Sequence, residues 1–326
     1  MRSEQPNGVR FWSGEQWPAE ATAWADESLA AAGRERTGPA VLHRAYPWSA
    51  VLRIPVGAET VWLKASAPST AFEVPLYAVL TRAVPDRILI PLAASPERGW
   101  LLLPDGGPPL GERSEDAAAT LTPALAAYGH LQRKLEGHVD ALLAAGVPDM
   151  RPGVMPERFE EALLHAMEAP GAGPEAIARV AALREPVLEW AAELAASPLP
   201  PTLDHSDLHP FNILGDVDEP LFFDWGDSSI AHPFAAMLVP LDLAGPEHRD
   251  EARDAYLRAF ADLAPRERLH ADLDRARRLA RVARALTWER GLRASRERGE
   301  QIDPQFENAI LETLLEIDGD ESPPVR

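Results

Sequence analysis

The 326-residue chain contains no cysteine, so a disulfide framework and thiol chemistry are excluded and the redox compartment is left open. No apolar run is long enough to span a bilayer, and the opening Met-Arg-Ser-Glu-Gln-Pro-Asn lacks the apolar stretch of a secretion signal. No membrane partner is expected, and cytoplasmic residence is the default. Positive charge is scarce: 32 lysines and arginines face 51 aspartates and glutamates, a formal charge of −19. That balance argues against nucleic acid as a partner, because nucleic-acid binding rests on neutralising phosphates. It is compatible with a cationic substrate, and solubility alone accounts for it equally well. Lysine occurs only at Lys64 and Lys134. Arginine serves elsewhere, so these two are candidates for work that needs a compact ammonium, although Lys134 reads as a chance residue of a helix surface. There is no Gly-x-Gly-x-x-Gly pattern and no internal repeat. What is present, 46% hydrophobic and 25% charged residues, is ordinary for a globular protein, and the length allows two lobes.

The most informative stretch is 203–227. Two short apolar runs, Phe211/Ile213/Leu214 and Leu221–Phe223, flank the turn-forming Gly215-Asp-Val-Asp-Glu-Pro220, which predicts a hairpin. His205, Asp207 and Asn212 lie on the loop entering it, and Asp224 lies where the second strand runs out into Gly226. A hairpin brings its ends together, so Asp207, Asn212 and Asp224 would offer oxygen ligands or proton acceptors around one small volume. Such a set suits phosphoryl transfer: a hard divalent cation takes carboxylate and amide oxygens plus phosphate oxygens, and a separate carboxylate accepts the proton of the attacking hydroxyl. A zinc site from His205-x3-His209 with Asp204 and Asp207 is the competing reading. Pro210 and the strand pattern argue against the helix that such histidine spacing prefers.

His205-x-Asp207-x4-Asn212 resembles the kinase catalytic loop, and Asp224-Trp-Gly226 resembles the Asp-Phe-Gly element that follows it. The form His-x-Asp-Leu-His-x-x-Asn with Asp-Trp-Gly is more similar to the aminoglycoside phosphotransferase and choline kinase group than to protein kinases. The resemblance covers roughly residues 40–300. It implies an α+β, bilobal, protein-kinase-like fold with a small antiparallel-sheet N-lobe and a larger, mostly helical C-lobe. It implies Asp207 as catalytic base, Asn212 and Asp224 as Mg²⁺ ligands, and His205 as a structural support of the loop. ATP, with GTP possible, is the implied cofactor, and a small molecule bearing a hydroxyl the acceptor.

In chain order, residues 1–17 show no clear period, and 18–33 form an alanine-rich helix between Pro18 and Gly33. Three β-like runs follow: Val41–Ala45, Ala50–Val56 and Thr60–Ala65. Lys64 stands near the end of the third, where kinase-like families place the lysine that grips the nucleotide phosphates. Glu73 is the only acidic residue between Lys64 and Asp86, which makes it the expected partner. Its helix has two candidate starts, a Thr70-x-x-Glu73 capping box or Pro75 at the first position. The phosphate-covering turn is Tyr46-Pro-Trp-Ser49, where the backbone N–H groups of Ser49 and Ala50 and the Ser49 hydroxyl could reach phosphate. Ile88–Pro91 reads as a short β-like run and Gly99–Leu103 as a buried strand.

Pro104-Asp-Gly-Gly-Pro-Pro109 is the strongest linker signal. It divides a nucleotide-binding lobe, 1–103, from a helical lobe, 110–317. By resemblance, this hinge at 104–109 would meet adenine through the Pro104 carbonyl and the Gly106 N–H. In 115–145 an apolar stripe runs through Leu121, Leu125, Tyr128, Leu131 and Leu135. Helices are expected at 155–168, 174–197, 233–243, 247–263, 267–298 and 304–317, and a disordered tail at 318–326. The arginine-rich helix 267–298, with Arg275, Arg277, Arg278, Arg281 and Arg284 among Asp272, Asp274, Glu289 and Glu297, reads as a solvated face over a core side of Leu279, Val282, Ala283 and Leu286.

One departure stands out. Related sequences commonly follow the Asp-Trp element with Gly-Asp-Pro and a further aspartate that braces the catalytic loop; here His232 and Ala236 occupy those positions. A brace must come from elsewhere, or the loop is less rigid. Candidate acceptor-site groups are Asp227, His232, Asp242, Trp288 and Glu289. Carboxylates beside an aromatic would suit an amino sugar, an aminoglycoside or an amino alcohol. Two other readings remain: a catalytically weak or inactive nucleotide-binding regulatory protein of the same fold, and a protein kinase, disfavoured because no activation segment follows Gly226.

Overall fold

The computed structural model describes residues 10–318 apart from 115 and 117. The elements, in order, are α1 (Arg10–Ser13), α2 (Gln16–Ala31), β1 (Val41–Tyr46), β2 (Ser49–Val56), β3 (Glu59–Ser66), α3 (Glu73–Ala83), β4 (Ala93–Ser95) and β5 (Trp100–Pro104). Then come α4 (Leu110–Arg113), α5 (Leu121–Leu135), α6 (Val139–Ala144), α7 (Met155–Ala166), α8 (Pro174–Ala181), α9 (Arg184–Ala195), β6 (Thr202–Asp204), β7 (Ile213–Asp216), β8 (Glu219–Phe222) and β9 (Ser229–Ala231). The chain closes with α10 (Leu238–Leu243), α11 (Gly245–Leu257), α12 (Arg266–Glu297) and α13 (Ala309–Leu315). The fold is α+β, as the sequence implies. A five-stranded antiparallel sheet, in the order β1-β2-β3-β5-β4, precedes a helical assembly that carries two small two-stranded sheets, β6–β9 and β7–β8. No described helix is long and apolar enough to cross a membrane.

Alternation builds the first sheet. In β2 the residues Leu52, Ile54 and Val56 turn inward, and with Val61 and Leu63 of β3 they pack on Trp17, Ala21, Ala25 and Leu29 of α2. Each fully buried side chain of this size contributes about 1.5–3 kcal/mol of transfer free energy. α2 stops where expected, at Gly33 with φ +69°, a conformation glycine adopts without a Cβ penalty. Its start and the stretch before it differ from expectation. α2 begins at Gln16, and α1 precedes it, because Trp12 and Trp17 meet edge to face, 5.0 Å apart, in the same core; residues 1–9 lie outside the described residues.

The second core joins α3 and β5 to the helices. The expected stripe on α5 is buried in full. Four other expectations change. The stretch 88–91 is not a strand: Ile88 makes a single bridge to Phe222, and the edge strand is Ala93–Ser95. The expected helix 174–197 breaks into α8 and α9, since the Pro186 ring stands against the carbonyl of Ala182. Phe211 belongs to a 3-10 turn, Pro210–Asn212, and leaves the hairpin to β7 and β8. β6 and β9, three residues each, were too short to register as a pattern, yet they pair residue for residue from Thr202↔Ala231 to Asp204↔Ser229. Except for residue 318, the expected tail lies outside the described residues.

Candidate active site

Lys64 lies on β3, between Val51 of β2 and Leu101 of β5, and is 8% exposed. Its Nζ donates to Glu73 Oε1 at 2.6 Å and to Asp224 Oδ1 at 2.5 Å. Glu73 is the first residue of α3 and fully buried. The capping box does not form: the Thr70 hydroxyl donates to the Trp48 and Ala67 carbonyls. Glu73 instead accepts from the Ser66 hydroxyl at 3.0 Å and from the Trp225 N–H at 3.0 Å. It thus bolts the first sheet to the segment that carries Asp224. Arg44 of β1 adds a second cation, with Nη2 3.3 Å from Asp224 Oδ2. Burial works against the Lys64 ammonium, but Asp224 and Glu73 outweigh it and raise its pKa. Burial likewise opposes the Asp224 carboxylate, yet Lys64 and then Arg44 hold its pKa well below the usual range.

The entering loop is fixed from several sides. Buried His205 hydrogen-bonds through Nε2 to the Phe223 carbonyl at 2.9 Å, tying the loop to the strand that ends at Asp224. Burial lowers the His205 pKa, so the ring is neutral and its Nε2 carries the proton that the carbonyl accepts. Ser206 takes a left-handed conformation, φ 63°. Asp204 compensates, accepting from the Ser206 N–H at 2.7 Å and from its hydroxyl at 3.0 Å. Burial pushes the Asp204 pKa up to about 6. The Asn212 amide nitrogen donates to the Asp207 carbonyl at 2.9 Å and to its Oδ2 at 3.2 Å. His209 Nδ1 accepts from the Phe211 N–H, leaving Nε2 3.3 Å from Asp207 Oδ2. On the far side Arg284 of α12 reaches the Ser206 carbonyl at 3.0 Å and Asp207 Oδ1 at 3.4 Å. Burial opposes the Asp207 carboxylate, but His209 and Arg284 hold its pKa below the ordinary value. The group is ionised at neutral pH and able to accept a proton.

Asp204 thus braces the loop from within the segment, and further support comes from other elements. Arg284 holds it directly. Behind it, Gln132 of α5 donates to the Leu203 and Pro233 carbonyls at 2.9 and 3.0 Å, and the Tyr128 hydroxyl donates to Leu203 at 3.1 Å. These contacts hold β6 in register with β9.

The structure joins Lys64, Glu73 and Asp224 in one hydrogen-bonded group and Asp207 with Asn212 in another, and Phe223 links the two: its N–H donates to the Asn212 carbonyl and its carbonyl accepts from His205. Ser49 sits at the start of β2, buried opposite Ser66 beneath the turn at 46–49, and its hydroxyl makes no hydrogen bond among the described residues. Pro104 ends β5 opposite Val61. Gly106 follows in close packing, where a Cβ would lie 2.4 Å from Leu214 Cδ1. Asp227 faces the same cleft. Burial first, then Asp207 and Asp224, raise its pKa to about 7.

Three other candidates are otherwise engaged. His232 turns behind β9 onto Ser197 Oγ at 3.3 Å, and burial lowers its pKa to about 4. Glu289 is buried and paired with Arg293 and Arg296. Asp242 is paired with Arg277 and Arg281. Trp288 joins an aromatic cluster with Trp48 and Phe306, at 6.2 and 5.4 Å between centroids. α12 is not the solvated face expected: Asp272, Arg281 and Glu289 are buried within it. Sequence reading passed over Arg44, and Arg284 appeared only in a charge pattern. The available signal was that apolar and arginine residues share the same turns of one helix, so some arginines had to point inward. Lys134 pairs on the surface with Asp86.

The donor set suits a hard cation. Asn212 uses its amide nitrogen on Asp207, which leaves its side-chain oxygen without a hydrogen bond among the described residues, and Asp224 offers a carboxylate. Among the described residues no group of three or more His, Asp or Glu side chains could hold a metal alone. A cation held by one amide and one carboxylate would complete its shell with phosphate and water oxygens, as Mg²⁺ does. The zinc reading finds no support: among the described residues no such group could hold a metal, and Asp204 is turned onto the Ser206 N–H and hydroxyl.

An antiparallel sheet presenting a Lys–Glu pair, a catalytic-type loop and a carboxylate after a hairpin together define a protein-kinase-like phosphotransferase fold. Residues 42–271, more than half of the chain, match the phosphotransferase enzyme family, and the chain belongs to that family. No curated protein matches it in sequence. Among solved structures, a macrolide 2′-phosphotransferase from Brachybacterium faecium superposes with a TM-score of 0.57 at 18% identity, over 93% of this chain and 99% of that one. Plasmodium vivax ethanolamine kinase gives 0.60 at 12% identity, over 86% and 81%. The GDP complex of aminoglycoside 2′-phosphotransferase-IIIa gives 0.56 at 17%, over 93% and 98%. At such identities the likeness establishes the fold.

Proposed function

We propose that the protein transfers the γ-phosphate of ATP, or of GTP, to a hydroxyl group of a small molecule in a Mg²⁺-dependent reaction. The observation that carries this reading is that Lys64, Glu73 and Asp224 form one hydrogen-bonded group, joined through Phe223 to the Asp207–Asn212 pair. Lys64, held by Glu73, would grip the nucleotide phosphates, with Ser49 and its neighbours above them. Asn212 and Asp224 would hold the cation, which when bound neutralises charge on the β- and γ-phosphates. Asp207, ionised and aimed by Asn212, His209 and Arg284, accepts the proton of the acceptor hydroxyl. His205 supports the loop without touching the reactants. The segment 104–109 would act as a hinge between an N-terminal lobe, 1–103, and a helical lobe, 110–317, with the Pro104 carbonyl and Gly106 N–H meeting the base. A free nucleotide supply suits cytoplasmic residence.

Magnesium-dependent ADP release across a panel of alcohols tests the reading, alongside the melting shift caused by nucleotide. Asp207→Ala should slow turnover by about 10²–10⁴-fold with nucleotide binding little changed. Full activity in that variant would remove Asp207 from the role of base. A nucleotide-induced melting shift without turnover of any alcohol would favour the nucleotide-binding regulatory protein instead.

A further inference from the structure

The acid-rich composition is compatible with an acceptor bearing positive charge, but the fold disposes its charges differently. Asp242 and Glu289 are neutralised by arginines, and His232 lies behind β9. What α12 places beside the catalytic loop is cationic. Arg284 contacts the loop through Nη1 alone, and its Nε and Nη2 make no hydrogen bond among the described residues. Arg290, nearly two turns further along α12, donates only through Nη2, to Thr287 Oγ1 at 2.8 Å and to the Asp227 carbonyl at 3.5 Å. Among the described residues its Nη1 and Nε make no hydrogen bond, and Nε is closed off from solvent.

A guanidinium offers five N–H donors in a fixed fork that matches an oxyanion. A buried donor left unfilled is unfavourable until something accepts from it. Asp227 does not fill the role: its carboxylate makes no hydrogen bond or ion pair among the described residues, although both arginines lie within electrostatic reach of it. An ammonium-bearing acceptor approaching Asp207 would meet the Arg284 guanidinium directly and that of Arg290 on the Asp227 side. An acceptor carrying an oxyanion would find unfilled donors there.

We propose that the acceptor is an acidic alcohol, carrying a carboxylate or phosphate near the hydroxyl that is phosphorylated, and that Arg284 and Arg290 bind that oxyanion while Asp227 binds a neighbouring hydroxyl. This rests on the phosphotransfer reading above. In the reaction, the acceptor oxygen forms the new P–O bond, the bond between the γ-phosphorus and the bridging oxygen breaks, ADP or GDP leaves, and the hydroxyl proton passes to Asp207.

The test is a set of matched acceptors: glucose, gluconate, glucose 6-phosphate and glucosamine, with glycerol, glycerate, glycerol phosphate and ethanolamine as the smaller series. The expected result is that an acid-bearing member has a kcat/KM at least about tenfold above its amine counterpart. The carboxylate and phosphate arms show which oxyanion is read. Arg290→Gln should raise KM for the acid about 10- to 100-fold, change KM for the neutral parent less than about threefold, and leave the nucleotide KM unchanged. Arg290→Lys should recover part of the loss, and serves in its place if the glutamine variant does not melt cooperatively.

Binding can be read apart from turnover: by calorimetry, the Asp207→Asn protein should bind the acid, more weakly as salt is added. Preference for the amines, or an Arg290→Gln loss that falls equally on acid and neutral acceptors, overturns the proposal. If a neutral or amine-bearing alcohol is turned over but no acid binds or reacts, the acceptor inference falls and phosphotransfer stands. If nucleotide has no effect and no alcohol releases ADP, the phosphotransfer reading falls and this proposal with it.

Discussion

The two walls of the cleft are built on opposite plans. On the wall proposed for nucleotide, every charge is already matched: Lys64 lies between Glu73 and Asp224, Arg44 covers the second Asp224 oxygen, and Glu73 also takes a backbone N–H. On the wall beneath α12, among the described residues, the Asp227 carboxylate has no partner and Arg284 and Arg290 keep unused donors. A site for a partner common to a whole family can be satisfied in advance and rearranged by the partner. A site for an acceptor particular to one protein is recognisable by what it leaves unmatched.

Three substitutions would break or sharpen this contrast. The largest effect is expected from Glu73→Ala, which leaves buried Lys64 with one partner and unties Trp225. It should reduce unfolding free energy by about 3–5 kcal/mol and weaken nucleotide binding. Denaturant unfolding with and without nucleotide measures both. A loss below about 1 kcal/mol, the range of an exposed pair, would show that the matched wall is not what holds the sheet to the catalytic segment.

Next is Asp204→Asn. Burial pushes the Asp204 pKa up to about 6, above its ordinary value of 3.8. The native state thus holds the proton more tightly than the unfolded chain, and this stabilising contribution is present at low pH and lost as pH rises through about 6. The asparagine can still accept from the Ser206 N–H but cannot ionise. Its stability relative to the parent should improve by about 2–3 kcal/mol between pH 4 and pH 8, read from melting curves at each pH. A difference independent of pH would mean that Asp204 is not stabilised in its protonated form.

The smallest effect is expected from Trp48→Ala. Trp48 stacks on Tyr46 at 5.1 Å and meets Trp288 and Phe306 edge to face, so it fastens the turn at 46–49 to the α12 side. Its loss should reduce stability by about 1–2 kcal/mol and raise the nucleotide KM more than the acceptor KM. The reverse order would place this cluster in the acceptor site rather than over the nucleotide.

Much of this was legible in the residues because it is local. The β7–β8 hairpin joins residues close in sequence, so its open end sets Asn212 against Phe223, the neighbour of Asp224. The Lys64–Glu73 pair spans only nine positions, and the absence of other acidic residues nearby left Lys64 a single partner. The α5 stripe repeats at helical spacing and is buried as written. The errors arose where a residue's neighbour is distant in sequence. Arg284 meets Asp207 across 77 positions and Arg44 meets Asp224 across 180. Asp242 and Glu289 looked available because their arginine partners belong to a helix whose rotation no periodicity rule fixes when it is buried on most sides.

By itself, then, the sequence determined the strands and helices, the paired ends of one hairpin and the family to which the chain belongs, since each depends on short-range pattern and spacing. Only the tertiary structure decided which of thirty-odd cations reach the cleft and which carboxylates are neutralised before any ligand arrives. Long-range pairing is settled by how packed helices are oriented. That orientation is a property of the assembled core and of no single segment.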